Sequence, residues 1–544
     1  MSILPDIPIL SFILLSPLLG LLVILFLPKH SGNLLKTAAV IATLIPLALS
    51  LWLYADYDKQ QSGAVYEEQL DWVEVPLNKE LHSDVSAFTF KLQYELGVDG
   101  LSLPLLLLTG LVTAMAALGA FHVKKRWKAF FVWFLLLEFA MLGVFLARDV
   151  FLFFVFFELT LVAMYFLIGI WGFYNRERAA NQFLIYNGLG SAIMLIAFVI
   201  LVNTAGFRVE QIGEQVQYVY SGSYADIIRN MTDAGAMVNQ PAVNEMGALN
   251  PFVMSDTMHR TLFIMLLVAF GIKLPIFPFH TWMLKVHAEA PPAVVMIHSG
   301  ILLKMGAYGL LRFGLLLFPE QAKSWAAVLA VLGVINILYG AVLAFRQMEL
   351  RLVLAYSSMS HMGIVLLGLA AFNEIGLQGA IFQLVSHGLI SALLFLIVGS
   401  LYERTGTTEL TELGGLARSL PFTSGALLAA GLASLGLPGL SGFVGELLAL
   451  LGLFESMRWL AAIAVLGVIL TAVYVLRSVL KITFGPLPDK YAALKDARLI
   501  EAVPMIVLLA FIVLLGCYPS LLTDTVQYSI GDVFAQLLAT RAGG

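Results

Sequence analysis

GIKLPIFPFH, residues 271–280, decides how this chain must fold. It closes an apolar run that starts at Thr261 (TLFIMLLVAF) and sets a lysine, Lys273, directly ahead of two prolines, Pro275 and Pro278. Proline lacks a backbone donor and clashes with the preceding turn, so a helix entering this stretch is broken or unwound there. In lipid such a break survives only where protein or a water-filled cavity satisfies the freed backbone groups, and an ammonium at that depth needs a partner. The stretch therefore requires a large helical bundle around it, with Pro275 and Pro278 holding the backbone open so that water reaches Lys273.

Composition places that bundle in a membrane. Of the 544 residues 60% are hydrophobic and 12% charged, with a mean hydropathy of +0.91, whereas charged residues make up about a quarter of a soluble domain. The lipid bilayer is thus an expected partner. The net charge of -4 and the lack of a dense basic run give no expectation of nucleic acid. A single cysteine, Cys517, excludes disulfides within the chain and any all-cysteine iron-sulfur site. The first lysine, Lys29, follows the first apolar run, which reads as a retained span and not a signal peptide.

Outward from residue 271, apolar runs of about 20 residues, enough to cross a bilayer, fall near 5–27, 34–54, 101–121, 129–147, 150–172, 181–203, 260–280, 292–318, 325–345, 352–371, 377–402, 422–455, 459–483 and 501–521. The run 422–455 is too long for one straight span and contains GLPGLSGFVGE, so it reads as a second broken helix. The fold class is an all-α polytopic membrane protein of about fourteen helices. With both termini outside, more than half of the 31 Lys and Arg fall in inside loops, among them Lys124, Lys125, Arg126, Lys128, Arg176, Arg178, Arg346 and Arg351. The longer segments 55–99 and 204–259 show no motif and read as surface loops.

LPIFPFHTW from Leu274 resembles LPGLSGFVG from Leu437, and each ends a five-span block. Five is odd, so a second copy must be inverted relative to the first, an arrangement that sets a broken helix and an ion path at the centre of each repeat. The domains follow: 1–121 with helices 1–3, 129–318 with helices 4–8, 325–483 with helices 9–13, and 484–544 with helix 14 and a tail.

Few ionisable residues lie inside the spans, and they recur in both copies. Glu158, Lys273 and Lys304 belong to the first; His361, His387 and Glu446 belong to the second. An intramembrane charge is a functional candidate because its desolvation costs roughly 2.5–3.5 kcal/mol on insertion scales. A glutamate and a lysine of variable separation can exchange a proton near neutral pH, and an unperturbed histidine titrates at about 6.5. Six such groups at one depth are what a lateral proton wire requires.

Structural readings stand beside this one. Glu158 and Lys273 could be a fixed ion pair, and the histidines could bond to a neighbouring serine or carbonyl. Glu138 and His298 could extend the wire or only join helices, while Arg312 reads as snorkelling outward. His280 and His287, seven apart, read as surface or hydrogen-bonding residues before a metal pair. No P-loop, strand-linked GxGxxG, cysteine-rich pattern or HExxH is present, so the chain carries no cofactor or metal signature of its own.

GVDGLSLPLLLLTGL from Gly97, FFELTLVAMYFLIGIWG from Phe156, FGIKLPIFPFHTW from Phe270, HSGILLKMGAYGLLRFG from His298, AYSSMSHMG from Ala355 and GLPGLSGFVGE from Gly436 together resemble the antiporter-like subunits of bacterial respiratory complex I, NADH-quinone oxidoreductase. The resemblance implies fourteen helices in two inverted five-helix repeats and a mid-membrane proton relay through Glu158, Lys273, Lys304, His361, His387 and Glu446, with Glu158 paired to Lys273. It implies a multi-pass protein of the bacterial inner membrane. Its partners would be the other membrane subunits and, through them, the peripheral NADH and iron-sulfur arm, with quinone reached only indirectly. The chain departs from the family pattern at Lys285, where an acid is usual, and at Glu349–Leu352. Subunits of Mrp-type sodium/proton antiporters share nearly every motif and give the alternative; a passive scaffold would not need six titratable groups at one depth.

Overall fold

The computed structural model describes residues 8–542 apart from 30, 60–64, 78–86, 213–214, 234, 242–249 and 251. Helices dominate: α1 (Ile9–Phe26), α2 (Gly32–Asp56), α3 (Leu103–Gly119), α4 (Trp127–Leu146), α5 (Val150–Trp171), α6 (Arg176–Ala205), α7 (Tyr224–Thr232), α8 (Asp256–Lys273), α9 (Thr281–Glu289) and α10 (Pro292–Leu315). There follow α11 (Pro319–Arg346), α12 (Leu350–Ala371), α13 (Glu374–Thr405), α14 (Pro421–Ser434), α15 (Ser441–Ser456), α16 (Arg458–Thr483), α17 (Leu499–Cys517) and α18 (Ser520–Ala542). Among the described residues, eleven of these helices are long and apolar enough to cross a membrane, and α3 is a shorter apolar one. The pairs α8/α9 and α14/α15 are each interrupted where the sequence places a break.

Local chemistry sets the ends. Asp149 caps α5 by accepting the N–H groups of Phe151 and Leu152 at 2.8 and 3.0 Å, and Asn373 caps α13 through Gly376 at 2.8 Å. The second break turns on Gly436 and Gly439, whose φ of 76° and 91° suit glycine. In the first break the freed backbone groups are satisfied by protein. Asn336 of α11 accepts the Phe277 N–H at 2.8 Å and donates to the Pro275 carbonyl at 3.3 Å, while the Trp282 indole donates to the Ile272 carbonyl at 3.0 Å.

Two parts of the fold go beyond the sequence reading. The segments 55–99 and 204–259 supply β1 (Val65–Pro76), β2 (Ala87–Val98), β3 (Phe207–Ile212) and β4 (Gln215–Ser221), a sheet of order β1-β2-β4-β3 over the end where α2, α4 and α6 finish. β2 and β4 run parallel, and the two outer pairs are antiparallel. Beyond α17, α18 stands where a tail is expected; it returns to the bundle, and Ser529 Oγ accepts the Gly100 N–H at 3.0 Å.

Candidate functional site

Four of the six candidate side chains form one file through the centre of the bundle. Glu446 Oε1 on α15 lies 3.3 Å from His361 Nδ1 on α12. The rings of His361 and His387 stand 5.2 Å apart, and His387 Nδ1 on α13 is 2.7 Å from Lys304 Nζ on α10. Lys304 also donates to the Ser299 carbonyl at 2.5 Å. None of the four is more than 5% exposed. Helices α10 and α13 approach this closely because glycines face each other: a Cβ on Gly388 would stand 2.8 Å from the Gly300 carbonyl oxygen.

The file can carry protons by its chemistry. His361 Nδ1 faces the Glu446 carboxylate at 3.3 Å and the Gln383 amide nitrogen at 3.3 Å. Protonated, that nitrogen donates to Glu446; unprotonated, it accepts from Gln383, so either tautomer is hydrogen-bonded. Its Nε2 reaches Ser434 Oγ at 3.3 Å, at the edge of the second break. Beside the two rings lies a cavity of about 10 Å³ with Ser357, Ser358, Ser391 and Ser434 in its wall. That is roughly room for one water, with the polar partners a water needs.

Lys273 and Glu158 are placed differently. Lys273 is buried, with its ammonium 4.8 Å over the ring of Phe157 and 5.4 Å over that of Phe183. Its Nζ and Glu158 Oε1 have no hydrogen-bond partner among the described residues. Lys273 thus meets aromatic rings, and no hydrogen bond joins its ammonium to Glu158. The Phe183 ring continues to His298, 5.9 Å away.

Three sequence readings need correction or completion. Arg312 does not snorkel: it is buried, donates to Asp99 Oδ1 at 2.7 Å and lies against Tyr308 and Tyr224, because Asp99 arrives from the far end of β2 to meet it. His287 is not on the surface. It is fully buried and hydrogen-bonds His298 Nδ1 at 2.9 Å, while His280 stacks on Phe277 and lies edge-on to Tyr339. Glu138 is fully buried, and neither carboxylate oxygen has a partner among the described residues. Gln383, Ser434 and Asn336 lie outside the sequence reading; Asn336 is marked by being the lone amide in the apolar middle of its helix, whereas Gln383 and Ser434 share theirs with other polar side chains and carry no such signal.

Residues 147–471 match the family model described as NADH:quinone oxidoreductase/Mrp antiporter, TM. The chain belongs to that family. Within it, NAD(P)H-quinone oxidoreductase chain 4 2 of Thermosynechococcus vestitus is 39% identical over 531 residues, covering 95% of this chain and 90% of the relative. NADH-quinone oxidoreductase subunit M of Rhodobacter capsulatus is 35% identical, covering 96% of each. Among solved structures, a chain of respiratory complex I from Thermus thermophilus with bound NADH superposes with a TM-score of 0.77 at 28% identity, covering 96% of this chain and 99% of its own. The antiporter-like fold, the membrane location and the subunit M or chain 4 kinship are thereby established.

Proposed function

We propose that this chain is a proton-translocating membrane subunit of a NADH-quinone oxidoreductase. The observation that carries the reading is the buried Glu446–His361–His387–Lys304 file, which links side chains from four helices. On this reading electron transfer from NADH to quinone occurs in other subunits, and this chain contributes the proton path. Quinone reduction changes the charge at one end of the relay, and proton positions respond in sequence. Lys273 and Glu158 supply the first-copy half of the switch: each has an unbonded group, so a change in local charge can bring them together without first breaking a bond. The termini lie outside, and inside loops carry the basic residues.

The test is made in membrane vesicles holding the assembled complex. Lys273→Ala and Glu158→Ala each abolish most NADH-driven proton pumping while assembly persists; normal pumping in either variant removes the relay reading. An Mrp-type antiporter subunit, the other branch under the same family description, would instead give sodium-dependent pH gradients that persist without NADH and quinone.

A further inference from the structure

Below the sheet, at the end of the bundle away from the relay, lies a cavity of about 490 Å³. Its inner wall holds Asp99, Arg148 and Arg312; its mouth holds the exposed carboxylates of Asp256 and Glu320. Asp99 Oδ2 is shared by both arginines, at 3.2 Å from Arg148 and 2.6 Å from Arg312. Two guanidinium groups thus divide one carboxylate. Arg312 spends its remaining described bonds on the Tyr308 hydroxyl, and both guanidinium groups lie near the Tyr224 ring. The Arg148 side chain hydrogen-bonds only Asp99 among the described residues, although it is no more than 12% exposed.

An excess buried cation is unfavourable unless an anion compensates it. Glu95 is the nearest further candidate, but burial raises its carboxyl to about 7, so below that pH it is mostly neutral and leaves Arg148 uncompensated. The remaining wall is mixed: Met231, Val238, Met254 and Leu317 are apolar, while Thr232, Asn239, Gln240, His259 and Gln321 are polar. A site of this volume with a cationic floor, hydrogen-bonding groups and apolar side chains in its wall, and acids at its mouth matches one ligand chemistry. We propose that the cavity binds a phosphate group, carried either on a lipid headgroup or as free phosphate, with Arg148 as its main donor. Arginine suits phosphate because its planar fork donates two parallel bonds. The apolar part of the wall, Met231, Val238, Met254 and Leu317, fits the glycerol and first methylenes of a lipid, and Asp256 and Glu320 fit an ammonium such as ethanolamine's. This site lies outside the relay and does not depend on it.

The experiment uses the intact complex, purified in detergent and stripped of lipid, with native mass spectrometry reading bound adducts. The probes are dihexanoyl phosphatidylethanolamine, inorganic phosphate and dihexanoylglycerol. Two variants are compared: Arg148→Gln removes the donor, and Met254→Trp fills the cavity while leaving the charges in place. The expected result is that each variant weakens the phosphate-bearing adduct roughly tenfold or more, as loss of a charge-assisted bond does. Displacement of the lipid by millimolar phosphate assigns the site to free phosphate; lipid binding without such displacement assigns it to a headgroup. An adduct unchanged in both variants, or dihexanoylglycerol binding as well as the phospholipid, overturns the proposal. Should Arg148→Gln fail to assemble, Met254→Trp alone decides.

Discussion

Lys304 Nζ and His387 Nδ1, 83 residues apart in the chain, meet at 2.7 Å in the buried centre of the bundle. This bond joins the helix that ends the first predicted repeat to a helix of the second. Lys304 has one other described partner, the Ser299 carbonyl, so the bridge is short and fully enclosed. Leaving a buried hydrogen-bonding group without its partner costs about 1–3 kcal/mol. His387→Ala is therefore expected to lower proton pumping and also the thermal stability of the subunit. His387→Gln, which restores an acceptor without a titratable ring, should recover stability and leave pumping low. Vesicle pumping and thermal midpoints measured side by side separate the two effects; if the Gln variant regains both, the histidine is structural.

The first break depends on Asn336. Replacing it with leucine leaves the Phe277 N–H and the Pro275 carbonyl without their side-chain partner, at about 1–3 kcal/mol for a buried unsatisfied group. Hydrogen exchange at residues 274–280 should accelerate in Asn336→Leu and stay slow in Asn336→Asp, which keeps the acceptor for Phe277. Equal protection in the leucine variant and the native chain would show that the break is held by other contacts.

Gly306 tests how tightly the two lysine helices are joined. A Cβ there would lie 2.6 Å from the Leu274 nitrogen and 2.9 Å from the Lys273 carbonyl carbon, and backbone atoms cannot move aside as a flexible side chain can. Gly306→Ala should thus part α10 from the end of α8, destabilise the fold by about 1–3 kcal/mol and lower pumping. Gly425→Ala on α14 is the matched control, since nothing lies within 4 Å of its Cβ. A Gly306 variant that behaves like the Gly425 one rules out this packing as a determinant of the relay.

These cases also show what was legible in the sequence. The breaks are readable because proline and glycine act locally: Lys273–Pro275 and Leu437–Gly439 carry their own reason to unwind. Membrane insertion is readable from apolar run length alone. The contact of Lys304 with His387 is not, because the sequence gives the depth of each group but not which helix faces meet; that depends on Gly300 and Gly388 standing opposite each other. Arg312 reads as a snorkelling side chain because its partner, Asp99, lies 213 residues earlier. The strands are visible in the alternation of VYEEQLDWVEV and FTFKLQYEL, which a search for long apolar runs passes over.

The sheet end should respond to pH in two windows. Burial raises Glu95 from 4.5 to about 7 and Asp149 from 3.8 to about 6. Asp99 falls from 3.8 to about 2: the neighbouring Arg312 and Arg148 outweigh the burial that pushes it upward. For the raised carboxyls the folded state holds more protons than the unfolded one, so their stabilisation is complete below about pH 4 and is lost as pH climbs through 6 and 7. For Asp99 the sign reverses: its contribution is present above 3.8 and disappears as pH falls toward 2. Local stability should then peak near pH 4 and decline toward neutrality, by at most about 3 kcal/mol per raised group. Hydrogen exchange of the β2 and 147–150 amides, corrected for intrinsic rates, should show this decline in the native chain. Glu95→Gln should make it shallower, leaving the part due to Asp149. An unchanged slope in that variant would mean that Glu95 is ionised throughout, and the uncompensated charge assigned to Arg148 below pH 7 would disappear with it.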